Sequence, residues 1–292
     1  MSEPERAVPI RAAGLNATIS PREELIDKRR SMAFAAGIGA LGPLYLDDTR
    51  PGGVVAPAAI VAALEWPLFT TSDYLSAIGR DEDTIFKQLV HGFQVSEFHR
   101  PIRPGDRVCT EGRIVEMRQT PAGTLVIVRL TTSSDGAALA TSWFGALYRQ
   151  TLLDGSPGAV ESVPELRTEP GVKQGVSEPL RVPAGQAHVY TECADIWNPI
   201  HTEREFARAA GLPDIVLHGT CTWAMALQAL AEGHRPGMER PFTRAGTRFS
   251  GYIVPGQTAS LEHGPVEGGR IAFVVRSEDG VPALTHAFVE LA

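Results

Sequence analysis

The N-terminal half of the chain changes from helical patterns to strand patterns near residue 93. Ser20 offers a hydroxyl N-cap, and Pro21 with the acids at 23 and 24 occupies the next turn, which predicts a helix running to about Ala36. The alanine-rich segment 55–65 predicts a second helix. Runs rich in β-branched and aromatic residues, separated by glycine-containing turns, then predict strands at 95–98, 106–117, 124–134 and 138–149.

The C-terminal half repeats this order of helices followed by strands. Apolar periodicity predicts helices over 203–211 and 219–232. Strand patterns follow at 247–254, 258–264, 270–279 and 283–291. Between the halves, residues 151–180 show weak periodicity and many Gly, Pro, Ser and Glu residues, which is typical of a linker.

Two pairs of matching segments indicate that the halves are copies of one unit. Residues 98–105 and 249–256 share the same spacing from Phe to Pro-Gly, and Pro43-Leu-Tyr45 parallels Pro199-Ile-His201. We therefore predict an N-terminal unit at 1–150, a linker at 151–180 and a C-terminal unit at 181–292.

Composition narrows the class of protein. The 292 residues carry a net charge of −7 and no Lys/Arg cluster, which argues against nucleic-acid binding. Three cysteines without CxxC spacing argue against a disulfide framework or a zinc site. The N-terminus lacks the apolar segment of a signal peptide, and the longest apolar stretch is interrupted by Pro57, Glu65 and Pro67. We expect a cytoplasmic protein without a membrane segment.

Residues 190–220 contain an ordered set of chemically informative positions. Asp195 precedes Asn198-Pro199 and His201, and these are followed by Phe206-Ala207, Ala210-Gly211 and His218-Gly219-Thr220. This order closely resembles the hydratase-2 motif of the MaoC-like (R)-specific enoyl-CoA hydratases and dehydratases, and the duplicated layout resembles their double-hotdog members. The resemblance implies an α+β fold in which two antiparallel sheets, joined edge to edge, each wrap around a long central helix.

The motif departs from the family pattern at one point. The family has five positions from Asp to His, whereas Asp195 to His201 spans six, with Ile196-Trp197 where one residue is expected. Either the loop bulges around the extra residue or the pocket differs from that of the family.

The chemistry of hydration suits the residues of this motif. A carboxylate and an imidazole on one water can activate it and return a proton, so Asp195 and His201 are the predicted catalytic pair. The N–H of Gly219, at a helix N-terminus, would polarise the thioester oxygen. The candidates for substrate binding are Asn198, Trp197, His218 and Arg248; the alternatives are packing for Trp197, a structural hydrogen bond for His218 and a solvated surface charge for Arg248.

The N-terminal unit lacks the equivalent residues. Tyr45 stands at the position of His201, Gly42 at that of Asn198 and Pro57 at that of His218. In double-hotdog relatives such a half makes room for bulky acyl groups, and the resemblance implies the same here. His91 and His99 lie on strand patterns away from this lost site, so we interpret both as structural.

The function expected from the motif is reversible hydration of a trans-2-enoyl-CoA to an (R)-3-hydroxyacyl-CoA. No metal or redox cofactor is implied, CoA arrives with the substrate, and the resemblance implies a homodimer. Branched or dicarboxylic acyl groups would suit the altered loop. A hotdog thioesterase is one alternative, although residues 219–231 contain no carboxylate. A non-catalytic acyl-thioester-binding subunit and a dehydratase acting on carrier-protein substrates are the others.

Overall fold

A computed structural model describes residues 8–82, 87–166, 172 and 175–292, and both halves follow the helix-then-sheet order. The N-terminal half contains the helices α1 (Lys28–Gly37), α2 (Pro43–Leu46), α3 (Ile60–Glu65) and α4 (Ser72–Ile78). Its strands are β1 (Ile10–Arg11), β2 (Thr18–Leu25), β3 (Leu89–Phe98), β4 (Arg107–Thr120), β5 (Gly123–Ser134), β6 (Ala137–Arg149), β7 (Leu153–Asp154) and β8 (Gly158–Ala159).

The C-terminal half begins with a strand and ends in a four-stranded run. It contains β9 (Val176–Arg181), α5 (Gln186–Ala194), α6 (Arg204–Ala209), α7 (Gly219–His234), β10 (Phe242–Phe249), β11 (Thr258–His263), β12 (Arg270–Arg276) and β13 (Pro282–Leu291). Short 3₁₀ turns lie at 12–14, 66–70 and 199–201. The strand β9 falls at the end of the segment that we assigned to the linker, and it pairs with β11 of the C-terminal half.

A single antiparallel sheet joins the two halves. Its strand order is β2-β4-β5-β6-β3-β10-β13-β12-β11-β9, with β8 added beside β4. The seam is the pairing of β3 with β10, in which Glu97 lies opposite Arg244 and Phe93 opposite Arg248. The predicted edge-to-edge joining is therefore confirmed. Helix α7 is buried on nearly all sides, and Cys221, Trp223 and Leu227, which point in different directions, all belong to the main hydrophobic core.

Equivalent hydrogen bonds in the two halves support the internal duplication. The amide of Val55 donates to Leu44, as Val216 donates to Ile200 (3.1 and 3.2 Å). The amide of Ala56 donates to Ile102, as Leu217 donates to Ile253 (2.9 and 2.8 Å). These pairs align Pro57 with His218 and Tyr45 with His201, as the sequence predicted.

The predicted helix from Ser20 to Ala36 is wrong in its first turns. Residues 18–25 form the edge strand β2, which pairs with β4, and helix α1 begins only at Lys28. The N-cap is Asp27, whose Oδ1 accepts a hydrogen bond from the amide of Arg30 at 2.6 Å. Pro21 is tolerated because it lies on an edge strand, at an irregularity in the β2–β4 register.

Other elements also differ from the sequence prediction. The helix predicted over 55–65 begins at Ile60, and the strand predicted over 247–254 ends at Phe249, after which the chain is irregular. Helix α5 was not predicted at all, since its polar and apolar residues show only weak periodicity.

Candidate active site

The motif residues meet at a cavity that both halves of the chain line. Its volume is about 410 Å³. The C-terminal half contributes Ile196, Asn198, His201, His218, Gly219 and Phe249, and the N-terminal half contributes Ala62, Trp66, Lys87, Leu89, His91, Phe144 and Arg149. The cavity therefore opens beside the β3–β10 seam, and neither half forms it alone.

His201 is oriented by a short turn and by one backbone carbonyl. Asn198 caps the 3₁₀ turn at 199–201, its Oδ1 accepting a hydrogen bond from the amide of Ile200 at 3.2 Å. The Nδ1–H of His201 donates to the carbonyl oxygen of Val216 at 2.7 Å. That bond fixes the tautomer of the neutral ring, so Nε2 carries the lone pair. Burial lowers the pKa of His201 to about 4, which keeps this nitrogen unprotonated at neutral pH.

His218 lies against His201 and is almost completely buried. The two rings stack with centroids 3.6 Å apart. The Nε2–H of His218 donates to the carbonyl oxygen of Ile196 at 3.1 Å, and Thr191 Oγ1 lies 3.4 Å away. Burial, and then the neighbouring His201, lower the pKa of His218 well below its usual value. His218 is thus a neutral ring that ties the loop at 196 to the start of α7.

Gly219 is the first residue of α7, and its environment requires the absence of a side chain. A Cβ there would lie 2.7 Å from Cδ1 of Phe249. The first N–H groups of a helix have no partner within the helix, and the dipole makes this end positive. Gly219 therefore presents an N–H donor at the cavity wall, close to His201 and His218.

The structure does not bring Asp195 to the cavity. Asp195 is the exposed C-cap of α5 in the left-handed conformation (φ 56°), and the next residue, Ile196, lines the cavity instead. With this left-handed turn the side chain of Asp195 is exposed. Trp197 is 50% exposed, and Arg248 is exposed on β10; neither is among the described residues that line the cavity.

One cavity residue, His91, was interpreted as structural from the sequence. The pairing of β3 with β6 is irregular between His91 and Phe93, and His91 Nε2 bonds to Gln94, three residues on. A regular strand would place these two side chains on opposite faces. The irregularity that brings them together depends on the partner strand, so the sequence pattern carried no signal for it.

The position in the N-terminal half that corresponds to the motif is filled. Tyr45, Pro57 and Ala58 pack against Ala224 and Gln228 of α7 around a void of only about 10 Å³. Burial raises the pKa of the Tyr45 hydroxyl. This pseudo-equivalent position therefore has no room for a substrate, and the N-terminal half takes part by lining the shared cavity.

Among the residues that the structure describes, no group of three or more His, Cys, Asp or Glu side chains is arranged to hold a metal ion. The described helices also include none that is both long and apolar enough to cross a membrane.

Comparison with known families gives one match in each half of the chain. Residues 165–279 match the MaoC like domain, and residues 13–141 match the FAS1-like dehydratase domain region. The two matches lie in opposite halves of the chain, and each covers less than half of it.

Individual relatives extend the comparison to nearly the full chain. Peroxisomal multifunctional enzyme type 2 of Drosophila melanogaster is 23% identical over 282 residues, covering 91% of this chain and 45% of that enzyme. 3-hydroxyacyl-thioester dehydratase Y of Mycobacterium tuberculosis is 28% identical over 204 residues, covering 67% of this chain and 69% of that protein. The chain thus spans less than half the length of the fly enzyme.

Solved structures show the same fold. A MaoC-like dehydratase from Phytophthora capsici superposes with a TM-score of 0.83 at 19% identity, over 96% of this chain and 98% of that one. A Mycobacterium tuberculosis protein described as having a double hotdog fold superposes with a TM-score of 0.62 at 16% identity, over 95% and 96% of the two chains. The predicted α+β double-hotdog class is confirmed.

Proposed function

We propose that this chain catalyses the reversible hydration of a trans-2-enoyl-CoA to an (R)-3-hydroxyacyl-CoA. The observation that carries the proposal is the cavity wall shared by His201, whose Nε2 carries a lone pair, and Gly219, which offers an N–H at a helix terminus. The likeness to a 3-hydroxyacyl-thioester dehydratase supports the same reaction class. The (R) configuration rests on the family resemblance of the motif.

The reaction can be written with these groups alone. Water adds through its oxygen to C3 of the enoyl thioester while His201 Nε2 takes one of its protons. The negative charge that develops on the thioester oxygen is stabilised by the Gly219 N–H and the N-terminal end of α7. The imidazolium then returns its proton to C2, which restores neutral His201. Dehydration runs through the same steps in reverse.

The contribution of Asp195 to water activation stays a prediction. Its carboxylate reaches the cavity only if the segment 195–197 follows a different path from the one described, because Ile196 now occupies the wall. Neutral His201 with its Val216 hydrogen bond suffices as the base in the mechanism above. Two variants separate these roles. Asp195→Asn tests a direct role of the carboxylate, and Ile196→Val tests a role of the loop.

The test is the loss of enoyl absorbance with crotonyl-CoA and then mesaconyl-CoA, with release of free thiol followed in parallel. We expect wild type to consume the enoyl band without thiol release, and His201→Ala to lower the rate by about 100-fold or more. Thiol release would place the chain among thioesterases. Binding of both thioesters without turnover by wild type would indicate a non-catalytic acyl-thioester-binding subunit.

A further inference from the structure

Two cationic side chains lie on the cavity wall, and the mechanism above does not use them. Lys87 and Arg149 both line the cavity, and both are exposed, so they belong to its open rim. Leu89, at the start of β3, pairs with Tyr148, near the end of β6. Lys87 precedes the first of these residues by two positions and Arg149 follows the second, so both cations lie at the same end of the two strands. We call them the cationic pair.

The charge on the cavity wall has one sign. The described residues that line the cavity include no Asp or Glu. Burial lowers the pKa of His91 to about 3, that of His201 to about 4 and that of His218 well below its usual value, so all three rings are neutral. Lys87 and Arg149 therefore carry the only formal charges on the described part of the wall. Since the whole chain has a net charge of −7, this positive rim does not follow from a basic composition.

Arg149 differs from the other arginines of its sheet in having no carboxylate partner. Arg118 of β4 pairs with Glu116 at 2.9 Å. Arg129 of β5 pairs with Glu161 at 3.1 Å. The guanidinium of Arg149 forms no ion pair or side-chain hydrogen bond with any residue that the structure describes. Its five N–H donors are therefore available to a ligand at the rim.

The chemistry of the cationic pair selects an anionic group with two or more oxygen atoms. A guanidinium binds a carboxylate or a phosphate through two parallel hydrogen bonds, and a neighbouring ammonium adds a second positive charge. A wall of one charge sign also attracts ligands of the opposite sign before they bind. A CoA thioester is larger than a cavity of about 410 Å³ can hold, so a part of it lies at the exposed rim.

We propose that Lys87 and Arg149 form a subsite for an anionic group of the substrate, which Arg149 binds through two hydrogen bonds and Lys87 attracts by its charge. This inference rests on the proposed function and adds a requirement for charge on the substrate. A CoA thioester offers this chemistry at two places. One is the set of phosphates in CoA, and the other is a carboxylate at the far end of a dicarboxylic acyl group. The experiment below distinguishes the two sources.

The experiment measures KM for wild type, Lys87→Met and Arg149→Met at low and at high salt. We expect Arg149→Met to raise KM for the thioester that carries the bound anion by about fivefold, the effect of an exposed ion pair. Wild-type KM for that thioester should also rise with ionic strength, and this rise should be smaller in Arg149→Met and Lys87→Met. The matched control is Arg107→Met, which removes an exposed arginine at the start of β4 that is not among the described residues lining the cavity. It should keep the wild-type KM and salt dependence.

Four thioesters identify the source of the anion: crotonyl-CoA, crotonyl-pantetheine, a trans-2-enoyl-CoA that ends in a carboxylate, and its methyl ester. If the subsite binds a phosphate of CoA, Arg149→Met raises KM for crotonyl-CoA and leaves that for crotonyl-pantetheine unchanged. If it binds an acyl carboxylate, Arg149→Met raises KM for the carboxylate-ended substrate and leaves those for its methyl ester and for crotonyl-CoA unchanged.

Two outcomes would overturn the subsite. One is an equal KM in wild type and Arg149→Met for every charged thioester, and the other is an equal rise in KM for crotonyl-pantetheine, which carries no anion. Calorimetric binding of butyryl-CoA and of a saturated acyl-CoA that ends in a carboxylate is measured on the same proteins. Binding that weakens in Arg149→Met, together with an absence of turnover in wild type, would reject the proposed reaction and support the subsite. Normal turnover without any dependence on charge would do the reverse.

Discussion

The imidazole rings of His201 and His218 stack face to face, 3.6 Å apart, and each is fixed by a backbone carbonyl. His201 donates to Val216, and His218 donates to Ile196. The two carbonyls hold one nitrogen of each ring as N–H. A proton on either ring would place a positive charge in a buried pair without a carboxylate among the described residues that line the cavity, so burial opposes it.

This arrangement predicts an unusual acid tolerance of the reaction. Hydration requires the unprotonated Nε2 of His201, whose pKa is lowered by burial to about 4. Lowering the pH therefore removes activity only as it approaches that value. For an ordinary histidine, with a pKa near 6.5, only a few per cent of the rings would be neutral at about pH 5. We expect kcat/KM at about pH 5 to remain near its value at pH 7.

The measurement is the initial rate of enoyl-band loss after brief transfer to each pH. A return to pH 7 before assay serves as the control for acid unfolding. A rate that recovers fully on return, but has already fallen more than tenfold at pH 5, would contradict a buried neutral base.

A second prediction concerns the contact between Gly219 and Phe249. A methyl group at 219 would lie 2.7 Å from Cδ1 of Phe249, so the ring must move away from its position in the cavity wall. We expect Gly219→Ala to lower kcat/KM by about 100-fold, because the thioester loses its close approach to the helix N-terminus.

The matched control is Gly233→Ala in the same helix, where a Cβ meets nothing within 4 Å. This change should leave kcat/KM unaltered and raise the free energy of unfolding by about 0.5–1 kcal/mol, measured by chemical denaturation. Similar losses of activity in both variants would show that any added methyl disturbs α7, and would remove the case for close approach at Gly219.

Much of the fold was predictable because its signals are local. Strands β4, β5 and β6 alternate or remain apolar between glycine-containing turns, and their predicted bounds differ from the structure by at most three residues. The start of α1 was misplaced because Ser20-Pro21 carries the same capping signal as a helix start. The pairing of β2 with β4, which overrides that signal, joins residues far apart in the sequence.

The candidate site likewise contains residues that the sequence placed correctly and residues that it did not. Asn198, His201, His218 and Gly219 lie together because each is placed by a short turn or a helix end that the motif encodes. The direction of Asp195 depends on one left-handed residue at the end of α5, for which the sequence showed no signal. His91 reaches the cavity through the β3–β10 seam and an irregular pairing with β6, both of which are long-range features.

A third prediction addresses how the N-terminal half holds the loop that follows α5. Arg30 of α1 donates to the carbonyl oxygens of Cys193 and Ala194 at 2.8 and 3.2 Å, and its Nε pairs with Glu24. These carbonyls belong to the last turn of α5, and carbonyl oxygens there have no N–H donor within the helix. We expect Arg30→Met to lower the free energy of unfolding by about 2 kcal/mol.

The neighbouring Arg29 is exposed and offers the control, since Arg29→Met removes the same charge without these contacts. Chemical denaturation measures both changes, and turnover is followed alongside. Because Arg30 positions the segment from which Ile196 enters the cavity, its loss should also lower kcat/KM. A stability loss no larger than that of Arg29→Met would mean that the α1–α5 contact holds without the guanidinium.

The last prediction concerns Glu65, a carboxyl that is only 1% exposed and accepts a hydrogen bond from the side-chain amide of Gln94. Desolvation raises the pKa of Glu65 to about 7, against an ordinary value of 4.5, while hydrogen bonds from Ser142 and Gln94 oppose the shift. A raised pKa means that the folded protein binds more protons than the unfolded chain between these two values. Stability from the protonated group is therefore fully present below about pH 4.5 and is lost as the pH rises through 7.

Glu65→Gln keeps an uncharged group of the same shape, so it removes this pH dependence. Relative to Glu65→Gln, wild type should lose roughly 2.5 kcal/mol of unfolding free energy between about pH 5 and pH 8. Denaturation at both pH values gives the difference, in which all other titrating groups cancel. Glu23→Gln, which changes an exposed carboxylate of β2, controls for the loss of one charge. If wild type and Glu65→Gln keep a constant difference, Glu65 does not titrate in the folded protein over this range, and its burial costs no ionisation energy.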